Sequence, residues 1–474
     1  MENGTRAPTP HVALLPTPGM GHLIPLAELA KRLVAAPHGF SVTIVTFAST
    51  ASKTQRAFLS SLPRSISSLS LPPVPLDDLP ADAHIETLMS HEAARSVPAL
   101  AALLRGLKAE TRLVAFVADL FGADTLDAAR EVGVPGYLFF PSNLHLLSLL
   151  LHLPSLDAST TCEFRDLPGP VELPGCVPIP GSEILDPLQD RSNECYRWMV
   201  HHGARYREAR GILVNTFEAI EPGPAAALRA EDPARPPVYP VGPLVQSADP
   251  AGPDPAGCVA WLDEQPPGSV LFVSFGSGGT LTTEQMRELA LGLEMSSQRF
   301  LWVVRSPSDK GEVSAAYYDA ESKGDPFAYL PEGFAERTKR VGKVVSSWAP
   351  QMRVLGHEAT GGFLTHCGWN STLESVVSGV PMIAWPLYAE QRQNAIVLVG
   401  GVGAALRPKR AAAAAVVGRE EVAEVVRELM EGEAGKKVRA KVRELKEAAQ
   451  TGLSEDGAAY EALLQVAGRW KQVN

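Results

Sequence analysis

Two short stretches hold residues whose types and spacing could do chemistry. The first is Thr17-Pro18-Gly19-Met20-Gly21-His22, which follows an apolar run, His11–Pro16, and precedes a helical pattern from about His22 to Ala36. A strand, a glycine loop and a helix start aim backbone amides and the positive end of a helix dipole at an anion or polar ligand. The loop is not a dinucleotide fingerprint. Gly19-x-Gly21 supplies two glycines, but the third position is Ile24, and Ala48-Ser49 follow the second strand where an acid is required. A hydride-transferring oxidoreductase is therefore disfavoured. At a helix start the dipole disfavours imidazolium, so His22 should stay neutral near physiological pH and could accept a proton if its tautomer were fixed. Asp119, directly after the apolar run Leu113–Ala118, emerges at the same carboxyl edge of a parallel sheet and could accept the other ring N–H. Spacing alone favours the plainer role, in which His22 and Asp119 each cap a helix.

The second stretch reads Trp348-Ala349-Pro350-Gln351, then His366-Cys367-Gly368-Trp369-Asn370-Ser371-Thr372-Leu373-Glu374, and ends at Glu390-Gln391. An apolar run, Gly362–Thr365, feeds His366 and Gly368 into a helix beginning near Asn370, an arrangement that can hold phosphate on backbone amides, His366 and the Ser371 hydroxyl. The same residues also read as local structure: Ser371-x-x-Glu374 as a capping box, Gly379 as a helix stop and Trp369 as core. On spacing the two readings stand even. His366 and Cys367 do not form a nucleophilic pair, because adjacent strand residues point to opposite faces.

These residues have to be positioned by a larger framework. Apolar or β-branched runs alternate with helical patterns, the mark of βα units on a parallel sheet, and the series occurs twice. The first series has strands at His11–Pro16, Ser41–Phe47, Leu113–Ala118, Tyr137–Phe140 and Gly211–Asn215, with the proline-rich segments near 61–80 and 166–187 read as excursions outside the sheet. The second has strands at Val270–Phe275, Phe300–Val304, Lys343–Ser346, Gly362–Thr365 and Pro381–Ala384, and helices at Thr283–Met295, Arg419–Glu431 and Lys437–Ala449. Gly276–Thr280 is a glycine-rich loop, and Ser306–Pro326 reads as a surface loop. The expected organisation is an N-terminal domain over residues 1–245, a linker over 246–267, a second domain over 268–452, and a final helix over about 453–474 crossing back to the first. Two doubly wound α/β domains in tandem would face each other across a cleft, where ligands of such folds bind.

Composition narrows the partners. Over 474 residues, 43 basic against 53 acidic side chains give a net charge of −10, which argues against nucleic acid or an anionic membrane surface and for a small-molecule ligand. Five cysteines, Cys162, Cys176, Cys195, Cys258 and Cys367, are odd in number and lack a Cys-x-x-Cys pair, so neither a disulfide framework nor a zinc cage is indicated. Met1–Pro10 has no apolar segment of the secretory kind, and Leu144–Leu153 is interrupted by His145, Ser148 and His152. A cytoplasmic, monomeric protein without stable membrane insertion is the expectation.

The stretch from Trp348 to Gln391 resembles the signature box of the plant family-one UDP-glycosyltransferases. The resemblance extends over nearly the whole chain, through the His22 loop, Asp119-Leu120-Phe121 and Gly276-Ser277-Gly278-Gly279, and is nearest to the branch that glucosylates hydroquinone-like phenols. It implies a GT-B architecture, with the acceptor held mainly by the first domain and UDP-glucose by the second. Trp348 would stack on uracil and the Ala349 backbone would read its edge. Gln351 and Glu374 would bind the ribose, and His366, Asn370, Ser371 and Ser277 the diphosphate. Trp369, Glu390 and Gln391 would hold the sugar, with Gly21, Gly368 and Tyr388 contributing to the UDP-sugar site; the terminal Gln391 points to glucose. The resemblance makes His22 a general base and Asp119 its orienter, reversing the odds from spacing. The acceptor would be bordered by Glu86, Phe121, Ser142 and Tyr317, although the sequence around Ser142 departs from the commoner small-residue pattern.

The expected reaction is inverting transfer of glucose from UDP-glucose to a phenolic hydroxyl, giving a β-glucoside. No cofactor or metal is expected to take part, and no Asp-x-Asp triplet is present to chelate one. N- or S-glucosylation is the alternative outcome of the same site. A non-catalytic nucleotide-sugar-binding protein is disfavoured by the presence of both His22 and Asp119.

Overall fold

The structure, a computed structural model, describes residues 8–230, 232–247, 252–309, 324–409 and 416–473. It divides into two compact units, one from Met1–Cys176, Pro187–Val245 and Gly452–Asn474, the other from Val177–Asp186 and Gln246–Thr451. Val177–Asp186 lies within the span read as the first domain, yet it is gathered into the second unit. Glu183 there pairs with Arg407 at 3.2 Å, and the Asp186 amide donates to the Ala389 carbonyl at 3.0 Å.

The first unit holds β1 (Pro10–Leu15), β2 (Ser41–Phe47), β3 (Ile66–Leu71), β4 (Arg112–Asp119), β5 (Gly136–Phe140), β6 (Ile212–Val214) and β7 (Val238–Pro240) in one parallel sheet of order β3-β2-β1-β4-β5-β6-β7. Helices cover both faces, so the inner strands are near-continuous apolar runs such as Val12-Ala13-Leu14-Leu15, all fully buried. His11 is the polar exception inside β1. Its two ring nitrogens meet the hydroxyls of Ser41 (2.8 Å) and Thr43 (2.9 Å), so its burial leaves neither unpaired.

The segment read as an excursion near 61–80 contains the edge strand β3. Its serine-rich Ile66-Ser67-Ser68-Leu69-Ser70-Leu71 is exposed at its four middle positions, and an edge strand that buries so little shows no apolar run. The span read as a linker likewise carries a short helix, Cys258–Leu262, and β7 ends at Pro240, shortly before that span.

The second unit holds β8 (Val270–Ser274), β9 (Arg299–Val304), β10 (Gly342–Ser346), β11 (Thr360–Thr365), β12 (Met382–Ala384) and the two-residue β13 (Ala405–Leu406), again all parallel, in the order β10-β9-β8-β11-β12-β13. In both sheets the order reverses between the first and fourth strands of the series. At that point consecutive connections leave to opposite faces, and the loops at the carboxyl ends of β1 and β4, and of β8 and β11, are left open to a ligand. The loop expected over 306–326 falls mostly on residues 310–323, outside the described residues. Among the described residues no helix is long and apolar enough to cross a membrane.

The helix Ala458–Lys471 completes the core of the first unit. Leu463, Val466, Ala467 and Trp470 join the strand residues Val12, Val42 and Val114, with the Trp470 ring edge-on to Phe40 (centroids 5.9 Å apart) and to Tyr137 (5.3 Å). Truncating a fully buried tryptophan removes its transfer free energy and leaves a cavity, so Trp470→Ala should destabilise the first unit by about 3–5 kcal/mol. Urea denaturation should show an earlier transition for that unit, whereas an unchanged midpoint would contradict the packing described.

Candidate functional site

In the first unit His22 and Asp119 meet at the seam between β1 and β4. The helix after β1 spans Met20–Val34 with Gly19 as its N-cap, so it begins two residues before His22 and places that side chain in the first turn. Asp119 is the last residue of β4 and is fully buried. His22 Nδ1 lies 2.6 Å from Asp119 Oδ2, and the same oxygen accepts from the Thr17 hydroxyl (2.8 Å) and the Thr17 amide (3.1 Å). The other carboxylate oxygen accepts from the Leu120 amide at 2.5 Å, capping the 3-10 turn Leu120–Thr125. Asp119 thus caps the turn with one oxygen and contacts the His22 ring with the other. With Nδ1–H donated to the carboxylate, the ring lone pair sits on Nε2.

The Phe121 ring tilts against His22, with centroids 5.8 Å apart, and its other side meets His202 edge-on at 5.9 Å. Burial drives the His202 pKa down to about 3, so it is a neutral packing partner, and its Nε2 is 2.8 Å from the Ser90 hydroxyl. The Tyr206 hydroxyl donates to the Leu120 carbonyl at 2.9 Å and fixes the turn that carries Phe121. Glu86 is partly buried, its carboxyl raised above the ordinary value by burial, within electrostatic reach of His22. Ser142 is buried, and its hydroxyl has no hydrogen-bond partner among the described residues. Gly21 lies beside His22 in the first helical turn, and Tyr317 falls outside the described residues.

In the second unit, β11 runs into His366-Cys367-Gly368 and then the helix Trp369–Ser378, whose N-cap is Gly368. Ser371 is thus inside the first turn and cannot start a capping box. Gln351 makes the decisive contacts instead: its side-chain amide nitrogen donates to Ser371 Oγ (2.9 Å) and Glu374 Oε2 (2.6 Å). The Ser371-x-x-Glu374 spacing serves a contact from 20 residues upstream. Burial raises the Glu374 carboxyl to about 7.

His366 is held by the absence of side chains around it. A Cβ on Gly276, which follows β8 with φ of 75°, would lie 2.7 Å from the imidazole, and one on Gly368 would lie 2.4 Å from Nε2. Burial lowers the His366 pKa to about 4, so the ring is neutral, and its Nδ1 finds no hydrogen-bond partner among the described residues. A neutral imidazole with an unsatisfied nitrogen, at the N-terminus of a ten-residue helix, suits an anionic or polar ligand. The turn depends on Asn394, which sequence reasoning missed. Its amide donates to the Cys367 carbonyl at 2.9 Å, holding Cys367 at φ of 66°.

Trp348 follows β10 and is 50% exposed, a large aromatic face presented outward, while Ala349 behind it is buried. Gln391 is buried, and its side-chain oxygen accepts from the Leu387 (2.9 Å) and Tyr388 (3.0 Å) amides, which leaves its NH2 end to donate. Glu390 occupies the N-cap position of the helix Gln391–Ile396, and its carboxylate accepts from the Asn394 side-chain amide at 3.4 Å. Trp369 is buried, Asn370 is partly buried, and Ser277 is exposed in the loop after β8.

A family model described as UDP-glucoronosyl and UDP-glucosyl transferase matches residues 237–446. A hydroquinone glucosyltransferase of Rauvolfia serpentina is 53% identical over 464 residues, covering 98% of each chain. Among solved structures, a UDP-glucosyltransferase from Polygonum tinctorium capable of glucosylating indoxyl, in complex with 3,4-dichloroaniline, is 50% identical, covers 99% of this chain and all of its own, and superposes with a TM-score of 0.91. Phytolacca americana UGT2, complexed with UDP-2fluoro-glucose and pterostilbene, is 48% identical over 98% of this chain and all of its own, with a TM-score of 0.89.

The close approach of Gly368 to His366 is directly testable. Gly368→Ala must push the ring aside, and UDP binding measured by calorimetry should weaken at least about tenfold, some 1.4 kcal/mol. An unchanged Kd would show that the ring does not contribute.

Proposed function

The chain belongs to the UDP-glycosyltransferase family and is a UDP-glucosyltransferase of small-molecule acceptors, and from that premise we propose that it transfers glucose with inversion to a phenolic hydroxyl, with His22 as the base. The observation that carries this reading is the 2.6 Å contact between His22 Nδ1 and the buried Asp119 carboxylate. That contact fixes the tautomer in which Nε2 accepts a proton, and it stabilises the imidazolium that results.

A simple phenol ionises at about pH 10, like tyrosine, so it needs a base to generate an oxygen nucleophile at neutral pH. As Nε2 takes the proton, the oxygen attacks the anomeric carbon from the face opposite UDP. The bond from that carbon to the β-phosphate oxygen breaks with its electron pair going to UDP, and the product is a β-glucoside. The charge gathering on the diphosphate falls to preorganised donors: the amides that open the helix Trp369–Ser378, the neutral His366 ring, Ser371, Asn370 and the Ser277 loop. No general acid is required, because the nucleoside diphosphate leaves as a stabilised anion.

Trp348 is the platform for the uracil ring, and the Ala349 backbone reads its edge. Gln351 and Glu374, already joined at 2.6 Å, take the ribose hydroxyls. Trp369, Tyr388, Glu390 and the donating end of Gln391 bind the sugar. Phe121, Glu86 and Ser142 border the acceptor. The hydroquinone glucosyltransferase relative supports a small phenol as acceptor. The dichloroaniline complex of the Polygonum enzyme favours an aniline as a second substrate class for the same base.

His22→Ala should lower glucosylation of a simple phenol by about 10²–10⁴-fold while leaving the UDP Kd unchanged. Asp119→Asn should cost about 10–100-fold in kcat, again without loss of UDP affinity. Undiminished turnover in His22→Ala, followed by mass spectrometry of the glucoside, would overturn the assignment.

Glu374 supplies a pH test. Its carboxyl is raised to about 7, so folding favours its protonated form; the stability this contributes is full below the ordinary carboxyl range and fades as pH rises toward 7. Ribose hydroxyls donate to the ionised form, so UDP affinity should increase as pH rises through about 7. Calorimetry on Glu374→Gln should lose this component and keep only the part due to titration of UDP itself. An identical pH profile in both proteins would remove Glu374 from the ribose site.

A further inference from the structure

Beside the acceptor-side residues of the first unit, three side chains of different donor chemistry converge from two helix starts. His84 is the N-cap of the helix Ile85–Arg95, Glu86 is the second residue of that helix, and Cys195 is the second residue of the helix Glu194–Arg205. A ring nitrogen of His84, a carboxylate oxygen of Glu86 and the Cys195 sulfur all lie within 4.8 Å of one another. The thiol already points its hydrogen at Glu86 Oε2, 3.9 Å away. Cys195 is buried, Glu86 partly buried and His84 exposed, so the trio runs from interior to surface and leaves an entry path on the histidine side.

We propose that His84, Glu86 and Cys195 form a zinc-binding site whose occupancy inhibits glucosyl transfer. One sulfur, one imidazole nitrogen and one carboxylate oxygen make a donor set suited to Zn2+, with bonds of about 2.0–2.3 Å and tetrahedral geometry. Those bond lengths put neighbouring ligand atoms about 3.5 Å apart, so the trio has to contract by about 1 Å. The exposed His84 side chain can swing to supply that movement, while Glu86 and Cys195 are held on rigid helices. Three protein ligands leave one position for water. Burial and the adjacent Glu86 carboxylate push the Cys195 thiol well above its ordinary value, so binding the cation has to displace the thiol proton, as metal–thiolate bonds do.

Inhibition follows from position and rests on the proposed role of His22. The Glu86 carbonyl accepts from the Ser90 hydroxyl at 2.7 Å, that hydroxyl meets His202, and His202 packs on Phe121, the ring against His22. A divalent cation held there opposes the positive charge that His22 acquires when it accepts the acceptor proton, and it withdraws Glu86 from the acceptor side. The metal takes no part in the reaction, so enzyme stripped with EDTA is the fully active form.

The test uses the full chain, stripped with EDTA and dialysed, with Zn2+ and Co2+ chlorides as probes. Calorimetry should give one zinc equivalent, and Co2+ should produce the near-ultraviolet charge-transfer band of a cobalt–thiolate bond. Cys195→Ser should abolish that band, and His84→Ala should weaken Zn2+ binding at least about tenfold, the loss that even an outer-shell change brings. Both variants should retain metal-free activity and melting temperature while losing inhibition by Zn2+ at saturating UDP-glucose. A cobalt–thiolate band that survives Cys195→Ser overturns the site, as does zinc inhibition of equal strength in His84→Ala. Zinc bound at the trio without inhibition overturns the regulatory half. If Cys195→Ser fails to fold, the surface variant His84→Ala decides alone. The cobalt band reads the site without turnover, so it stands or falls separately from the assignment of His22.

Discussion

Everything chemical in this chain depends on where a twisted parallel sheet reverses its strand order. A right-handed crossover carries each connection to one face of the sheet, and the reversal sends the next series to the other face. Between β1 and β4, and again between β8 and β11, this leaves a notch into which two strand ends project side by side. Neighbouring parallel strands are only about 4.8 Å apart, so residues ending such strands can touch although they are distant in the chain. His22 and Asp119 are 97 positions apart and make contact because their strands, β1 and β4, pair. Gly276 and His366 come together in the same way after β8 and β11.

The two notches are furnished on opposite principles. In the first unit a charge is buried and then surrounded with donors: the Asp119 carboxylate accepts from His22, from the Thr17 hydroxyl and amide, and from the Leu120 amide. A buried carboxyl group with that many donors is held in one orientation. In the second unit bulk is removed. Glycines at 276 and 368 let an imidazole lie against backbone on two sides, and burial keeps the ring neutral. A neutral ring keeps one N–H to donate and one nitrogen to accept, and a helix start supplies the positive field that a basic surface would otherwise provide.

Strongly buried elements could be read from the sequence because burial on both faces demands apolar runs. Strands such as Ser41–Phe47 coincide with their expected span residue for residue. β3 was hidden because an edge strand with serines at three of six positions buries almost nothing, and β13 because two residues carry no periodicity. Within the candidate sites, the residues with the plainest chemistry stood out, whereas Thr17, Asn394, Tyr206 and His202 did not. Each of these acts through space on a partner that sequence proximity does not reveal: Asn394 reaches a carbonyl 27 positions back, and Tyr206 one 86 positions back. Spacing left the capping box even with its alternative for the same reason. A local pattern specifies only bonds within one turn, and Gln351, from a different helix, took both Ser371 and Glu374 as partners.

The terminal helix has a consequence for how the protein is made. Its Trp470 fills a slot between Phe40 and Tyr137, residues near the beginning of the chain, yet the whole second unit lies between them in the sequence. On a ribosome adding about 5–20 residues per second, the slot stays open for on the order of tens of seconds after its walls have been synthesised. During that interval the first sheet is a folding intermediate with an aromatic gap in its core, a target for chaperones. A nascent chain that stalls within the second unit carries that gap permanently, and so exposes the apolar surface by which quality control recognises an unfinished protein.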